Sequence, residues 1–429
     1  MLDTLRNAWK IPELRKKLLF TLFILLIYRL GNAVPVPFVN IEALSAYFQN
    51  SLSDTVLGLY NAMSGNAFSK ATVFALSIQP YINSSIIMQL LCIAIPALER
   101  LQKDGGEEGQ KKIASITRYV TVALGLLMGF AYTVMLRNYQ LLSQSGTIYY
   151  IVIILTFTAG SAFLMWLGEQ ITESGIGNGI SIILFASIIS RVPSMVSSLV
   201  TNLANGGLKW YAAILLVLGM LLLVALIVFV TNSERRIPVQ YAKRVVGRKM
   251  YGGQSTHLPI KVNMSGVMPI IFAQSIASLP ATILAFVNTS GWTSGFGKFV
   301  LNFTSTTGVA YAIFYFILII AFSYFYAIIQ YNPVEIANNL KKNGGFIPGF
   351  RPGRPTADFI QKVIMKITLF GALYLGVVAL LPIIVGNVIG ISSLSIGGTS
   401  IIIVVGVALE TVKALEAQML MRHYKGFLE

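Results

Sequence analysis

The side chains that most often carry out catalysis or bind metals are scarce in this chain. Its two histidines, His257 and His423, have no partnered nucleophile, and the one cysteine, Cys92, lies inside an apolar segment. The sequence contains no G-x-x-x-x-G-K-[ST] phosphate loop, H-E-x-x-H or G-x-S-x-G motif. The glycine-rich stretch 175–179 follows no strand, which favours a tight turn over a dinucleotide site. The residue types therefore argue against an enzyme and predict no metal or other cofactor.

Acidic side chains are also nearly absent from the long apolar segments. Only Glu410 comes close, at the end of the last one. Ion- and proton-coupled transporters usually carry intramembrane acids as relays or cation sites. The chain is therefore expected to be a conduit that something outside must drive.

The composition is that of a membrane protein. Of 429 residues, 55% are hydrophobic and 11% charged, with a mean hydropathy of +0.73, whereas about 25% of residues are charged in soluble domains. The apolar runs predict an all-α polytopic protein with ten transmembrane helices. The predicted spans are residues 18–34, 71–96, 113–136, 148–167, 179–199, 210–230, 267–286, 309–330, 363–385 and 396–409.

Residues 55–69 interrupt this pattern. Their polar side chains and glycines are too many for a segment that crosses hydrocarbon, yet only Lys70 separates them from the predicted span 71–96. Irregular backbone at membrane depth is tolerated only where protein or water surrounds it. The segment therefore predicts a cavity inside the helical bundle.

The distribution of positive charge predicts the orientation. If ten spans alternate, 26 of the 32 lysines and arginines fall on one side, and that side is the cytoplasm, with both termini. Five spans precede Asn205 and five follow it, so the halves run oppositely and allow an inverted repeat around a central pathway. The predicted divisions are a basic interfacial segment 1–17 that contacts anionic lipids, two five-helix halves 18–204 and 205–412, and a cytoplasmic tail 413–429.

Two cytoplasmic connections, 231–265 and 331–358, are longer and more basic than topology requires. In the first, alternating side chains and a turn at Gly247 predict a projecting β-hairpin. The alternating residues are Ile237, Val239 and Tyr241. In the second, prolines and glycines predict a shaped loop that holds Arg351 and Arg354 away from the bilayer. Both are interpreted either as solvated topology anchors or as docking sites for an acidic cytoplasmic partner, protein or RNA.

Several long motifs, in order over nearly all the chain, resemble the bacterial SecY family. They are Ser77-Ile-Gln-Pro-Tyr-Ile82, Ile86-Ile-Met-Gln-Leu-Leu91, Met165-Trp-Leu-Gly-Glu-Gln-Ile-Thr172, Gly175-Ile-Gly-Asn-Gly-Ile-Ser181, Gln254-Ser-Thr-His-Leu-Pro259, Lys261-Val-Asn-Met264, and Ala337-Asn-Asn-Leu-Lys-Lys342 through Arg351-Pro-Gly. The resemblance implies the central subunit of a protein-conducting channel in the bacterial cytoplasmic (inner) membrane. Such a channel translocates unfolded secretory polypeptides and releases apolar segments laterally into the membrane.

The resemblance also implies an hourglass closed by a ring of bulky aliphatic side chains. A closed apolar constriction dewets and blocks ions, and it makes no specific bonds to a passing peptide. The ring residues implied by local motif are Ile78, Ile82, Ile180, Leu184, Ile271 and Ile403, with Leu184 replacing the commoner isoleucine.

Residues 55–69 match the family's plug, a half-helix that fills the outer funnel at rest. The residues assigned to it are Thr55, Gly58, Tyr60, Asn61, Met63, Gly65, Phe68 and Ser69. The second and seventh spans resemble the lateral gate, with candidate polar contacts at Asn83, Gln89 and Gln274. Such residues also serve as ordinary interhelical contacts.

The two basic connections resemble the docking sites of the ribosome and of the motor ATPase SecA. The implied docking residues are Arg248, Lys249, Lys341, Lys342, Arg351 and Arg354. Arg351 is the residue that both partners are expected to use. The family also implies the small partner subunits SecE and SecG.

Two other functions compete with this interpretation. A ten-span solute or lipid transporter would need charged or aromatic determinants at its midplane, where this chain has aliphatic residues. An interaction scaffold without a pore is the second alternative. Arg191, just before Pro193, has no counterpart in the family pattern.

Overall fold

The computed structural model describes most of the chain. The described residues are 2–49, 56–103, 105–144, 146–205, 210–241, 244–246, 249–251, 255–264, 266–286, 308–389 and 392–425. Among the predicted site residues, Thr55 and Arg248 lie outside these ranges.

The described residues form sixteen helices. In chain order they are α1 (Leu2–Lys10), α2 (Pro12–Gly31), α3 (Ile41–Tyr47), α4 (Val56–Met63), α5 (Gln79–Ala94), α6 (Pro96–Lys103), α7 (Gly106–Asn138), α8 (Thr147–Ser174), α9 (Gly179–Ile189), α10 (Val192–Ala204), α11 (Trp210–Asn232), α12 (Met268–Phe286), α13 (Val309–Gln330), α14 (Pro333–Lys342), α15 (Arg354–Ile389) and α16 (Ser392–Lys425).

Each of the ten predicted spans falls on one of these helices, the fifth on the consecutive pair α9 and α10. Six described helical stretches are long and apolar enough to cross a membrane, and a seventh is added if α5 and α6, bent by 106°, count as one span. Only 22% of the apolar stretch of α11 is buried within the protein. Its exposed leucines, such as Leu222 at 68% exposure, are suited to contact with lipid.

The second predicted span begins later than the sequence predicts. Residues 71–78 form turns, and α5 starts only at Gln79. Ala71 and Ser77 have φ of 43° and 52°, which helical residues do not adopt. Most of this stretch is buried inside the protein. Hydropathy cannot distinguish burial in protein from burial in lipid, so the expectation of a span from Ala71 was wrong.

The largest hydrophobic cluster joins both halves of the chain. It contains buried residues of α2, α4, α5, α8 and α9 from the first half and of α11, α12, α13, α15 and α16 from the second. The two halves of the chain therefore share one core.

In the described residues, the two long connections share one three-stranded sheet, and the first connection also forms a separate two-stranded sheet. The strands are β1 (Glu234–Tyr241), β2 (Arg244–Val246), β3 (Lys249–Tyr251), β4 (Ser255–Lys261) and β5 (Gly345–Phe346). β1 pairs antiparallel with both β4 and β5, and β2 pairs with β3 across the predicted turn, which confirms the hairpin. β5 comes from the second connection, so a separate buried cluster that includes Ile237 and Ile347 unites the two loops.

The glycine-rich stretch 175–179 is the tight turn that the sequence predicts. It separates α8 from α9, and Gly177 has φ of +70°, a conformation that favours glycine. The Asn178 side chain accepts hydrogen bonds from the amides of Ile180 and Ser181, and so caps α9.

Candidate functional site

Six aliphatic side chains from four separate helices meet in the shared core. Ile78 precedes α5 and Ile82 lies within it; Ile180 and Leu184 lie on α9, Ile271 on α12 and Ile403 on α16. Five belong to one buried hydrophobic cluster, and Ile180 packs against that cluster. Five are at most 4% exposed, and Ile180 is half-buried.

Two of these residues lie next to Gly168 of α8. A Cβ placed at Gly168 would lie 3.4 Å from Ile78 Cδ1 and 3.5 Å from Ile180 Cγ1. These are ordinary contact distances, so the two isoleucines lie next to α8 at this position.

The short helix α4 lies against this cluster. It contacts α9, α12 and α16, which carry four of the six aliphatic residues. Ala62 and Met63 of α4 belong to the same cluster. The helix is followed by turns rather than a second helical segment, so residues 56–69 are a half-helix enclosed by protein.

Hydroxyl groups tie α4 and its following turn to the surrounding helices. Tyr60 Oη lies 3.2 Å from Ser278 Oγ on α12. Tyr28 Oη of α2 shares a hydrogen bond with Ser187 Oγ of α9 at 2.5 Å and also donates to the Ser64 carbonyl at 3.4 Å. These contacts are polar, and water could replace them.

The turn after α4 is held by its own side chains. Asn61 Oδ1 accepts a hydrogen bond from the Ser69 amide, and its Nδ2 donates to Asn66 Oδ1. The Tyr132 hydroxyl of α7 donates to the Phe68 carbonyl. Gly65 has φ of +65°, and a Cβ there would meet Ser190 Oγ at 2.8 Å. Gly58 is buried. The turn is thus a compact unit that packs closely on α9.

The seam between α5 and α12 is closed by one hydrogen bond that the sequence did not predict. Gln79 Nε2 donates to Ser275 Oγ at 3.0 Å, and both side chains are at most 2% exposed. The two helices belong to opposite halves, and the two residues are 196 positions apart. Local patterns carry no signal for such a pairing.

The predicted gate residues Asn83, Gln89 and Gln274 take no part in this hydrogen bond. Asn83 and Gln274 are buried, and Gln274 Oε1 has no hydrogen-bond partner in the described part of the chain. Gln89 donates to Ser85 at 3.4 Å within its own helix. Among the described residues, none of the three makes a hydrogen bond across the seam.

One acidic residue in a helix was missed by the sequence analysis. Glu169 lies near the end of α8, beyond the predicted span limit at 167, and its Oε1 is 2.9 Å from Arg118 Nε of α7. The expectation that only Glu410 approaches the spans was therefore incomplete. The sequence signal was present, because the motif 165–172 itself contains Glu169 directly after Gly168.

The described docking candidates lie in and next to the two long connections. Lys341 and Lys342 are exposed in the last turn of α14, and Arg354 is exposed at the start of α15. Arg351 is exposed between β5 and α15, and its carbonyl accepts a hydrogen bond from Thr356 Oγ1 at 2.8 Å. Lys249 lies on β3. The described docking candidates therefore come from both long connections and the start of α15.

Arg191 lies at the junction of α9 and α10. Its Nε is buried and has no hydrogen-bond partner in the described chain. Nothing else in the described residues explains this arginine.

Comparison with known sequences gives matches over the whole chain. The SecY family model matches residues 72–412. The protein translocase subunit SecY of Streptomyces scabiei is 46% identical over 443 residues and covers 100% of both chains. The protein of the same name from Mycobacterium tuberculosis strain H37Rv is 42% identical over 451 residues, again with 100% of both chains covered.

Comparison with solved structures shows the same fold. A structure of a protein conducting channel has a TM-score of 0.64 at 17% identity and covers 96% of each chain. Sec61 in a canine ribosome-channel complex has a TM-score of 0.61 at 17% identity, also over 96% of each chain. These likenesses confirm the predicted fold class.

Proposed function

Because this chain belongs to the SecY family, we propose that it forms a protein-conducting channel through which unfolded secretory polypeptides cross a membrane. One observation carries the proposal. Six aliphatic side chains from four helices converge between the two halves of the bundle, and a short half-helix lies against them. An apolar constriction between the halves blocks ions at rest yet offers a passing chain no specific bond. Sequence-independent transport requires both properties.

Residues 55–69 act as the plug in this proposal. A channel that opens for a polypeptide must release its plug, and the described part of this segment is held by a few hydroxyl and amide contacts. Gly65 and the turn after α4 let the segment fold back onto α9. These features suit a part that leaves the pathway and returns to it.

The seam between α5 and α12 acts as the lateral gate. It joins the two halves, and Gln79 and Ser275 close it with one buried hydrogen bond. Separating the helices would open the bundle toward lipid, where an apolar segment of the substrate can partition. Asn83, Gln89 and Gln274 remain candidate contacts for the separated state.

The driving force comes from outside the chain. We propose that the motor ATPase SecA and the ribosome dock on the cations in and next to the two long connections, foremost Arg351. The solved structure of Sec61 in a ribosome-channel complex supports the ribosome as one such partner. The family also implies SecE and SecG as partner subunits and anionic lipids around the basic N-terminal segment.

The chain is a multi-pass membrane protein. We place it in the bacterial cytoplasmic membrane with both termini in the cytoplasm, because 26 of its 32 lysines and arginines then lie on that side. The proposal requires no catalytic group and no cofactor.

Deleting residues 56–69 tests the channel against its two alternatives. In planar bilayers, the deletion is expected to raise the ion conductance, because the half-helix no longer covers the aliphatic cluster. A pore-free scaffold predicts unaltered conductance, which would overturn the plug assignment. If the chain is a solute transporter, vesicles that contain it should show substrate-dependent flux of a small molecule. A secretory polypeptide should not enter these vesicles and should stay accessible to added protease.

A further inference from the structure

A small apolar cluster joins both ends of the chain to the start of α9. Three of its buried residues, Ala8, Ile176 and Leu415, are at most 1% exposed. They come from α1, from the glycine-rich turn 175–179 and from α16. We name this group the terminal cluster. Its buried residues are Ala8, Leu14, Ile176 and Leu415, with Ile11, Leu18 and Met419 packed against them.

The helix α1 is docked on α16 beside this cluster. Thr4 Oγ1 donates a hydrogen bond to Glu416 Oε1 at 3.1 Å, although the two residues are 412 positions apart. Residues four apart share one face of a helix, so Thr4 and Ala8 both lie on the face of α1 that meets α16. Arg6 and Lys10 are exposed. The two ends of the chain therefore come together at Ile176.

The turn that carries Ile176 fits tightly between helices. A Cβ at Gly175 would lie 2.6 Å from Thr21 Oγ1 of α2, and a Cβ at Gly179 would lie 2.0 Å from the Gly168 carbonyl oxygen of α8. Both distances are shorter than van der Waals contact. The backbone of the turn thus packs directly on α2 and α8, while Ile176 ties it to α1 and α16.

The turn leads straight into the aliphatic residues of the constriction. The helix α9 begins at Gly179, so Ile180 follows at once and Leu184 lies about one turn later. On α16, Ile403 lies about three turns before Leu415. The helices α9 and α16 also contact each other. Three of the six aliphatic residues therefore belong to two helices whose ends the terminal cluster joins.

The terminal cluster is a small unit beside the main core. It has four buried side chains in the described part of the chain, and the hydrogen bond between Thr4 and Glu416 is exposed. Units with few buried apolar contacts and solvent-exposed hydrogen bonds open locally without unfolding of the whole protein. The docking of α1 can therefore be released while the large cluster between the halves stays intact.

We propose that the terminal cluster is a latch that keeps the constriction closed. While α1 is docked on α16, the latch fixes the turn 175–179 and holds Ile180 and Leu184 against α16. Release of α1 frees the turn and lets α9 move relative to Ile403. A cytoplasmic partner that draws α1 away acts on the constriction without touching it. The latch rests on the proposed channel function, since it holds that channel closed, but its hold on α9 does not depend on what passes through.

The first test compares two buried isoleucines. Ile176→Ala empties the centre of the terminal cluster. Ile237→Ala is the control, because Ile237 is 3% exposed in the sheet cluster and lies outside the latch. Both variants should lower the unfolding temperature of the full chain. Only Ile176→Ala should raise the resting ion conductance of planar bilayers, by about tenfold or more, because loss of a buried isoleucine side chain removes at least that much stabilisation from the latch.

The second test is hydrogen exchange of the full chain in detergent micelles, measured by mass spectrometry. Peptides that cover residues 179–189 should exchange faster in Ile176→Ala and at the original rate in Ile237→Ala. Thr4→Val removes the hydrogen bond to Glu416 but keeps the shape of the side chain, so it carries the test if Ile176→Ala does not fold. It should raise the conductance about twofold. Its control is Thr201→Val, whose hydroxyl donates to the Ser197 carbonyl within α10.

Three outcomes would overturn the latch. Equal conductance of Ile176→Ala and Ile237→Ala, at the same loss of unfolding temperature, would trace the leak to general instability. Faster exchange of α9 without added conductance, while the deletion of residues 56–69 conducts, would show that the turn does not position the constriction. Unchanged exchange of α9 in Ile176→Ala would show that the cluster does not hold this helix. If the deletion does not conduct either, the channel function fails, and the exchange of α9 alone decides whether the latch holds it.

Discussion

The hydrogen bond between Gln79 and Ser275 provides a sharp test of the seam between α5 and α12. In Ser275→Ala, the Gln79 amide keeps its buried position but loses the oxygen that lies 3.0 Å away. Leaving a buried donor unsatisfied costs about 1–3 kcal/mol. The cost applies only while the helices are together, because water reaches Gln79 once they separate. The population of separated molecules should therefore rise roughly 5- to 150-fold.

The assay is the ion conductance of planar bilayers that contain the purified chain. Ser323→Ala is the matched control, because Ser323 is equally buried but donates to the Ile319 carbonyl within its own helix at 2.7 Å. The double variant Gln79→Leu/Ser275→Ala removes both polar partners and should return conductance close to the original value. The reasoning is refuted if Ser275→Ala conducts like Ser323→Ala, or if the double variant leaks as much as the single one.

Three further predictions concern packing, an ion pair and docking. Gly160→Ala should lower the free energy of unfolding by roughly 1–3 kcal/mol, because the new Cβ would lie 2.1 Å from the Val73 carbonyl oxygen. The measurement is thermal unfolding, and Gly219→Ala is the control, because a Cβ at Gly219 would have no atom within 4 Å. Equal stability of the two variants would contradict the close approach of α8 to residues 71–78. Glu169→Gln should lower the free energy of unfolding by less than about 1 kcal/mol, and this loss should shrink at high salt, because the ion pair with Arg118 is partly exposed. A larger loss of stability that does not depend on salt would show that the pair is not screened. Arg351→Glu should reduce motor-driven export at least tenfold, or about 1.4 kcal/mol, while Arg100→Glu, at another exposed cytoplasmic position, should not; normal export by Arg351→Glu would refute the docking role.

The features of the fold that could be predicted from the sequence are those that periodicity, charge and local motifs determine. Hydropathy predicted ten spans that coincide with helices, and alternation at Ile237 and Val239 predicted the hairpin, because these signals reside in neighbouring residues. Hydropathy failed at Ala71, where apolar residues line the protein interior instead of lipid. The pairing of β5 with β1 was also missed, since it joins Phe346 to Gln240 across more than a hundred positions.

The candidate site likewise contains residues that local motifs predict and residues that only the fold brings together. The family motifs implied the six aliphatic residues, and the structure places five of them in one buried cluster with Ile180 packed against it. The motifs did not identify Ser275, because serine in a membrane helix usually bonds its own backbone and nothing local marks it as the partner of Gln79.

Site-specific photocrosslinking tests the central claim most directly. A photoreactive amino acid is placed in turn at Ile78, Ile82, Ile180, Leu184, Ile271 and Ile403, and a secretory polypeptide is stalled midway through the channel. The account predicts crosslinks to the polypeptide from all six positions and none from Leu222, which is 68% exposed on the outer face of α11. Labelling from Leu222 as strong as from the six positions would contradict passage of the polypeptide through this cluster.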